Sequence, residues 1–217
     1  MKEFILKEIR TEIRSQSAVA GLLIYICASV FICYTALYVR AGSINAQTWS
    51  ALFWIIILFS SFGIIGKSFM GERKGVLMYY HSLISPTRLI MSKIIYATLL
   101  MTVLSIAGLI IFFLLMGNPI QDNWIFLGGL LLGAAGFASA LTLLAGIASK
   151  AGNNSVLMAV LGFPVVLSIL LQCIQLTKNS IDGLGIDASL DELMMLGAID
   201  TISAAASYLL FPYIWRS

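Results

Sequence analysis

Few residues in this 217-residue chain could carry acid–base or metal chemistry. The only histidine is His81, and Asp200 is the one acidic residue well inside a long apolar run. The three cysteines, Cys27, Cys33 and Cys173, lie in apolar runs without CxxC or CxxCH spacing, so they predict neither a thiol redox site nor covalent haem attachment. A membrane-embedded enzyme needs His, Asp or Glu clustered at one site. The sequence has no such cluster, so we expect a non-catalytic chain without a metal site.

One segment imitates part of a nucleotide-binding loop. Gly66-Lys67-Ser68 matches the end of the G-x-x-x-x-G-K-[ST] pattern, but Ser61 stands where the pattern has its first glycine. The match also follows an apolar run rather than a strand, so the context that cradles phosphate is missing. If ATP drives this protein, we therefore expect another chain to bind it.

Six long apolar runs must position these residues. Each has about 20 residues or more, which is enough helix to cross a hydrocarbon core of about 30 Å. The composition agrees, because 60% of the residues are hydrophobic and 11% are charged, whereas soluble domains have about 25% charged residues. We predict an all-α membrane protein that forms one polytopic domain, 1–217. The predicted spans are approximately 18–39, 46–66, 94–116, 124–149, 155–176 and 193–215.

The positive charges predict how these spans are oriented. Eleven of the thirteen Lys and Arg residues lie before the first span, between the second and third, between the fourth and fifth, or after the sixth. Arg40 and Lys178 lie on the other side. The positive-inside rule then makes both termini cytoplasmic and turns the acidic segment Thr177–Glu192 outward. No basic face interleaved with aromatic residues exists outside the spans, so nucleic acid is not an expected partner.

Residues 1–17 predict an amphipathic helix. Ile5, Leu6, Ile9 and Ile13 share one helical face, and charged residues surround the rest. Such a helix lies along the membrane interface, in contact with lipid. The alternative is an ordinary polar leader whose periodicity is accidental. A cleavable signal peptide is not expected, because the first apolar run starts at Ala18 and is too long for an h-region.

The longest predicted cytoplasmic connection is 67–93, between the second and third spans. Gly75 breaks it, and Pro86 is expected to stop a short helix between them. That helix presents Val76, Tyr79, Tyr80 and Leu83 at helical spacing. An amphipathic helix between two membrane helices must pack either on the membrane surface or on a partner protein. The pattern favours the partner protein.

Two residues inside the predicted spans have further consequences. We expect Asp200 to be buried near the outer leaflet, facing the bundle interior, water or a partner, because an ionised carboxylate in hydrocarbon is costly. The alternative is that the sixth span begins after Asp200. Pro164 predicts a kink in the fifth span, because proline removes a backbone hydrogen bond. The small-residue face Gly129-x-x-x-Gly133 lets helices approach closely. Such a face is compatible with a homodimer of this chain.

The order and spacing of several segments resemble the haem exporter protein B family, the membrane subunit of the cytochrome c maturation ABC system. The resemblance covers nearly the whole chain. The residues that carry it are Ser60-Ser61, Glu72, Gly75, Leu77, Ser85-Pro86, Lys93, Gly162-Phe163-Pro164-Val165 and Leu210–Ser217. The chain departs from the family at Val76-Leu77-Met78, where many members carry an acidic residue soon after the loop glycine.

This resemblance implies a type-2-like ABC permease fold in the bacterial inner membrane, with a partner ABC ATPase docked on a coupling loop, 67–93. The implied partner-binding residues are Glu72, Gly75, Leu77, Tyr79, Tyr80, Leu83 and Pro86. It also implies haem-handling membrane subunits and a periplasmic haem chaperone. ATP hydrolysis would drive either haem export or release of the haem-loaded chaperone.

We expect the chain itself to bind no cofactor. Haem iron usually takes an axial His, Met, Cys or Tyr ligand, and no predicted span contains a histidine. His81 is expected to be a solvated loop residue. The alternative function is that of a permease in another ABC exporter, for a lipid, a polysaccharide or a drug.

Overall fold

The computed structural model describes residues 17–39, 42, 44–70, 86–150 and 155–216. Within these ranges the regular elements are all helical, which confirms the all-α prediction. The long helices are α1 (Ser17–Cys33, continued by a π-helical turn Tyr34–Tyr38), α2 (Ala46–Met70), α3 (Pro86–Met116), α4 (Asn123–Lys150), α5 (Ser155–Asp182) and α6 (Leu190–Arg216). All six are long and apolar enough to cross a membrane. The predicted interfacial helix lies outside the described residues, apart from Ser17.

Several helices extend beyond the predicted spans. Helix α3 begins at Pro86 rather than at 94. That Pro86 also ends a short helix stays a prediction, because the residues before it lie outside the described part of the chain. Proline suits the first helical position, because its missing N–H would have had no partner there. Helix α5 continues to Asp182, and a 3-10 turn, Asp187–Ser189, leads directly into α6.

The helices alternate in direction, which gives the bundle two distinct faces. The connection face carries the three short links 40–45, 117–122 and 183–189. The terminal face carries the start of α1, the end of α6 and the helix ends that flank 71–85 and 151–154. Residues that share a face can therefore be far apart in the sequence.

Helix α4 forms the centre of the bundle. It contacts α2, α3, α5 and α6, and 72% of its apolar span is buried, compared with 11% for α1. Its sequence is rich in glycine and alanine, so neighbouring backbones can approach it closely. Helix α1 packs at the edge, against α2 and α3.

Two groups of contacts hold the connection face together. An aromatic cluster joins α2, α3 and α4, with the ring centroids of Phe53 and Phe112 5.4 Å apart and those of Phe53 and Phe126 6.1 Å apart. The link before α4 is tied to α5, because the backbone N–H groups of Gln121 and Asp122 both donate to the Ser180 carbonyl, at 3.2 and 3.1 Å. Ser180 Oγ in turn donates to the Asp122 carbonyl at 2.7 Å. These hydrogen bonds satisfy the polar groups of Ser180 at the end of α5. The helix can therefore continue beyond the apolar run.

Candidate functional site, a polar junction inside the bundle

Most of the predicted partner-binding residues lie outside the described part of the chain. Glu72, Gly75, Leu77, Tyr79, Tyr80 and Leu83 fall in 71–85, as does His81. Pro86 is described and is the first residue of α3. Helix α2 ends at Met70, so 71–85 connects two helix ends that both lie at the terminal face.

Lys93 lies inside α3 rather than in a loop. Its side chain is 1% exposed, and its neighbour Ser92 is also buried. Ser92 Oγ donates to the Arg88 carbonyl at 2.8 Å, as a hydroxyl within a helix commonly does. The terminal-face end of α3 is therefore part of the packed bundle.

Asp200 lies in the middle of α6. The helix begins at Leu190 and has 27 residues, so Asp200 is about 15 Å from its start at a rise of about 1.5 Å per residue. The helix starts earlier than the predicted span, and the position of Asp200 near the outer leaflet stays a prediction. Both carboxyl oxygens are buried, and neither has a hydrogen-bond partner among the described residues.

Asp200 packs against a glycine face of α4, formed by Gly129, Gly133 and Gly136. A Cβ atom built on Gly136 would lie 2.6 Å from Asp200 Oδ1. A Cβ atom built on Gly133 would lie 2.5 Å from Trp54 Cη2 and 2.7 Å from Cys173 Sγ. Leu176 occupies the corresponding space over Gly129. These three positions admit no side chain in this packing, because each is filled from a neighbouring helix.

A buried hydrogen bond closes the same region. Trp54 Nε1 on α2 donates to Thr177 Oγ1 on α5 at 2.8 Å. Trp54 is 0% exposed and Thr177 is 2% exposed. A buried indole N–H needs a partner, so this bond fixes the ring against Gly133 and links α2 to α5. We call the group Trp54, Gly133, Gly136, Cys173, Thr177 and Asp200 the polar junction.

The polar junction joins four helices through side chains of α2, α5 and α6 that pack on α4. The described residues contain no group of three or more His, Cys, Asp or Glu that could hold a metal ion. Cys173 is a free thiol and is buried. The arrangement can fix α2, α5 and α6 around α4 and hold one acidic group at the middle of the span, where such a group is costly and usually functional.

Pro164 lies within α5, away from the polar junction. The helix runs without a break from Ser155 to Asp182, and the Pro164 carbonyl accepts a hydrogen bond from Ser168 Oγ at 3.0 Å. The Pro164 ring is exposed on the bundle surface. A kink at this position stays a prediction.

The sequence pointed to Asp200 and Gly133, but the parts of Gly136, Trp54 and Thr177 were not predicted. The spacing Gly129-x-x-x-Gly133 predicted close packing, and Gly136 lies at i+7 on the same helical face. Trp54 sits in an uninterrupted apolar run, and Thr177 was assigned to the segment after the fifth span. No local signal pairs them, since they are 123 residues apart.

Comparison with known proteins identifies the family. The model of the CcmB protein family matches residues 1–213. No curated protein and no solved structure matches the chain. The match includes all of α1 to α5 and most of α6, and it agrees with the six membrane-spanning helices and with the resemblance to haem exporter protein B. The chain therefore belongs to the CcmB family and is a multi-pass membrane permease subunit of an ABC complex in cytochrome c maturation.

Proposed function

We propose that this chain couples ATP hydrolysis by a partner ABC subunit to haem export or to release of the haem-loaded periplasmic chaperone. The observation that carries the proposal is the family match over residues 1–213. The bundle supports it, because α2 and α3 both lead into 71–85 from the terminal face. An ATPase docked there would act on two helices at once.

The proposed orientation puts the terminal face in the cytoplasm of a bacterial inner membrane. The basic residues at the terminal-face helix ends are Lys67, Arg88, Lys93, Lys150 and Arg216. The connection face instead carries exposed Asp182, Asp187 and Asp191, with Lys178. This asymmetry is what the positive-inside rule associates with a cytoplasmic terminal face.

In this proposal, the polar junction transmits a movement of α2, caused by the ATPase, to the other helices of the bundle. Trp54 lies on α2, the helix that ends at the proposed docking segment, and its hydrogen bond to Thr177 ties α2 to α5. The indole also fills the space over Gly133 of α4. Closely packed interfaces move between discrete arrangements rather than deforming continuously. A displacement of α2 would therefore be passed to α4 and α5 instead of being absorbed locally.

We propose that ATP stays on the partner and that haem is handled by other subunits of the complex. The nucleotide pattern is incomplete at Ser61, and the only histidine is His81, outside the spans. Of the methionines that could ligate haem iron, Met101 and Met116 are buried within the hydrophobic core. Both side chains pack against other core residues. This packing favours a structural role for the two methionines.

A charge placed in the docking segment tests this proposal. Tyr79→Asp puts a carboxylate where an aromatic contact is proposed, and the loss of a hot-spot aromatic commonly weakens binding by about 2 kcal/mol or more. We expect the variant to insert normally but to lose the ATPase subunit during purification. Tyr79→Phe is the matched control and should keep it.

One outcome of the same purification would contradict the proposal. If Tyr79→Asp copurifies with the ATPase as well as Tyr79→Phe does, and ATPase activity is unchanged, then this segment is not the docking site.

A further inference from the structure

The carboxyl group of Asp200 is enclosed by this chain but has nothing to pair with. Both of its oxygens are buried, and neither accepts a hydrogen bond from any described residue. Among the described residues, no other acidic side chain has both oxygens in this condition, since in Glu192 only Oε2 is affected. Because this chain itself covers the two oxygens, neither water nor a partner subunit reaches them while the bundle stays packed.

The described surroundings of this carboxyl group are apolar. A Cβ atom built on Gly136 of α4 would lie 2.6 Å from Asp200 Oδ1 and 3.4 Å from Ile169 Cγ2 of α5. Asp200 is also the central residue of the 27-residue apolar segment Asp187–Tyr213, about 20 Å from either end at a rise of about 1.5 Å per residue. The carboxyl group therefore lies against hydrocarbon side chains and bare helix backbone, far from both bundle faces.

No counter-ion on the described helices faces Asp200. On α6 itself the nearest titratable residues, Glu192 and Tyr208, are each eight positions away. Helix α6 contacts α3, α4 and α5. Between its ends α4 carries no titratable residue, and Cys173 of α5 offers a thiol, which is no counter-ion for a carboxylate. On α3 the titratable residues all lie in its first 11 positions, namely Arg88, Lys93 and Tyr96. That part of α3 is about 15 Å or more from the level of Asp200.

A proton suits this carboxyl group better than any other cation does. An ionised carboxylate without a partner costs far more in an apolar interior than a neutral carboxyl group does. A metal ion would need several ligands, and the described residues hold no group of three or more His, Cys, Asp or Glu that could supply them. A proton needs no ligand beyond the carboxyl oxygen that it binds.

We propose that Asp200 is a proton-binding site in the middle of the bundle. In the packed arrangement the carboxyl group is neutral, with a proton on one oxygen. The proton passes to water only when α6 moves away from the glycine face of α4 and water enters, and it returns before the packing closes. Each opening and closing of this contact therefore releases and takes up one proton. The bound proton follows from the packing, so it stands independently of the proposed coupling to ATP.

Infrared spectroscopy of the purified complex detects the bound proton. A neutral carboxyl group has a C=O stretch that a carboxylate lacks, and without a hydrogen bond this stretch lies at the high-frequency end of its range. Near neutral pH, wild type should show one such band that Asp200→Asn lacks. Asp191→Asn, which removes an exposed carboxyl group from the same helix, should keep the band. If Asp200→Asn loses only a carboxylate band, or loses no band, Asp200 holds no proton and the proposal is wrong.

Exchange in D2O tests whether the packing encloses the proton. Deuteration shifts the C=O band, and in wild type the shift should be slow, because exchange waits for a local opening. Gly136→Ala places a Cβ atom 2.6 Å from Oδ1, which overpacks the contact and should speed the shift by about tenfold. Gly128→Ala, whose Cβ atom lies 3.8 Å from Leu193 Cδ2, should exchange like wild type.

Two results of the exchange experiment would overturn the enclosed site. One is a complete shift in wild type within the mixing time, which would show that water already reaches Asp200. The other is an equal rate in Gly136→Ala and Gly128→Ala, which would show that the carboxyl group is not held on the glycine face. If Gly136→Ala does not fold, the wild-type rate alone decides.

Discussion

Replacing Gly133 by alanine should destabilise the bundle more than the same change at a neighbouring glycine. The new Cβ atom would lie 2.5 and 2.8 Å from Trp54 Cη2 and Cζ3 and 2.7 Å from Cys173 Sγ. Real Cβ contacts are essentially never shorter than 3.0 Å, so something must shift. The indole cannot rotate away freely, because its Nε1 is held by Thr177 at 2.8 Å.

The size of the effect follows from these contacts. Overpacking a closely packed interior costs about 1–3 kcal/mol, and disturbing the Trp54–Thr177 hydrogen bond adds about 1 kcal/mol. Alanine is a better helix former than glycine by about 1 kcal/mol, which opposes the loss. The net destabilisation is about 2 kcal/mol, or a Tm lower by about 4–8 °C for a chain of this size.

Gly128→Ala is the matched control on the same helix. Its Cβ atom would lie 3.8 Å from Leu193 Cδ2, an ordinary contact. The Tm of this variant should therefore equal or slightly exceed that of the wild type, since only the gain in helix propensity of up to about 1 kcal/mol applies. Thermal unfolding of the purified proteins in one detergent, followed by size-exclusion chromatography, measures both. Equal Tm values for Gly133→Ala and Gly128→Ala would refute the close packing at the polar junction.

Two further predictions concern Asp200 and the orientation. Because the buried carboxyl oxygens of Asp200 have no partner among the described residues, and an unsatisfied buried group costs about 1–3 kcal/mol, Asp200→Ala should leave the Tm unchanged or raise it while cytochrome c maturation falls. A Tm lower by more than about 5 °C would show instead that the carboxyl group stabilises the fold. A single cysteine in place of Ala188, which is exposed on the connection face, should react with an impermeant maleimide added outside spheroplasts. Labelling only after the membrane is broken would invert the proposed topology.

The length and hydrophobicity of the apolar runs were sufficient to predict the six helices, because hydrocarbon imposes both requirements on any spanning segment. Helix ends were harder to predict. Pro86 can end one helix or begin the next, and its role depends on the chain that follows. Lys93 was assigned to a loop because it is charged, yet the structure buries it within α3.

The polar junction depends on contacts that local patterns do not encode. The glycine spacing on α4 predicted a face that admits close neighbours, but it could not say which side chains would fill it. Trp54, Cys173 and Asp200 come from three different helices, and their convergence depends on how those helices pack around α4. The position of Asp200 along α6 also depended on where the helix begins, and the polar residues before it did not indicate a start at Leu190.

We expect this chain to be required for cytochrome c maturation without ligating haem itself. The most direct measurement is the level of covalently haem-bound c-type cytochromes in a strain that lacks the chain, complemented by wild type or by His81→Ala. The deletion strain should contain no holocytochrome c, and both complementing genes should restore it fully. Normal holocytochrome c without this chain would contradict the assignment, and a failure of His81→Ala to restore it would contradict the non-ligand role.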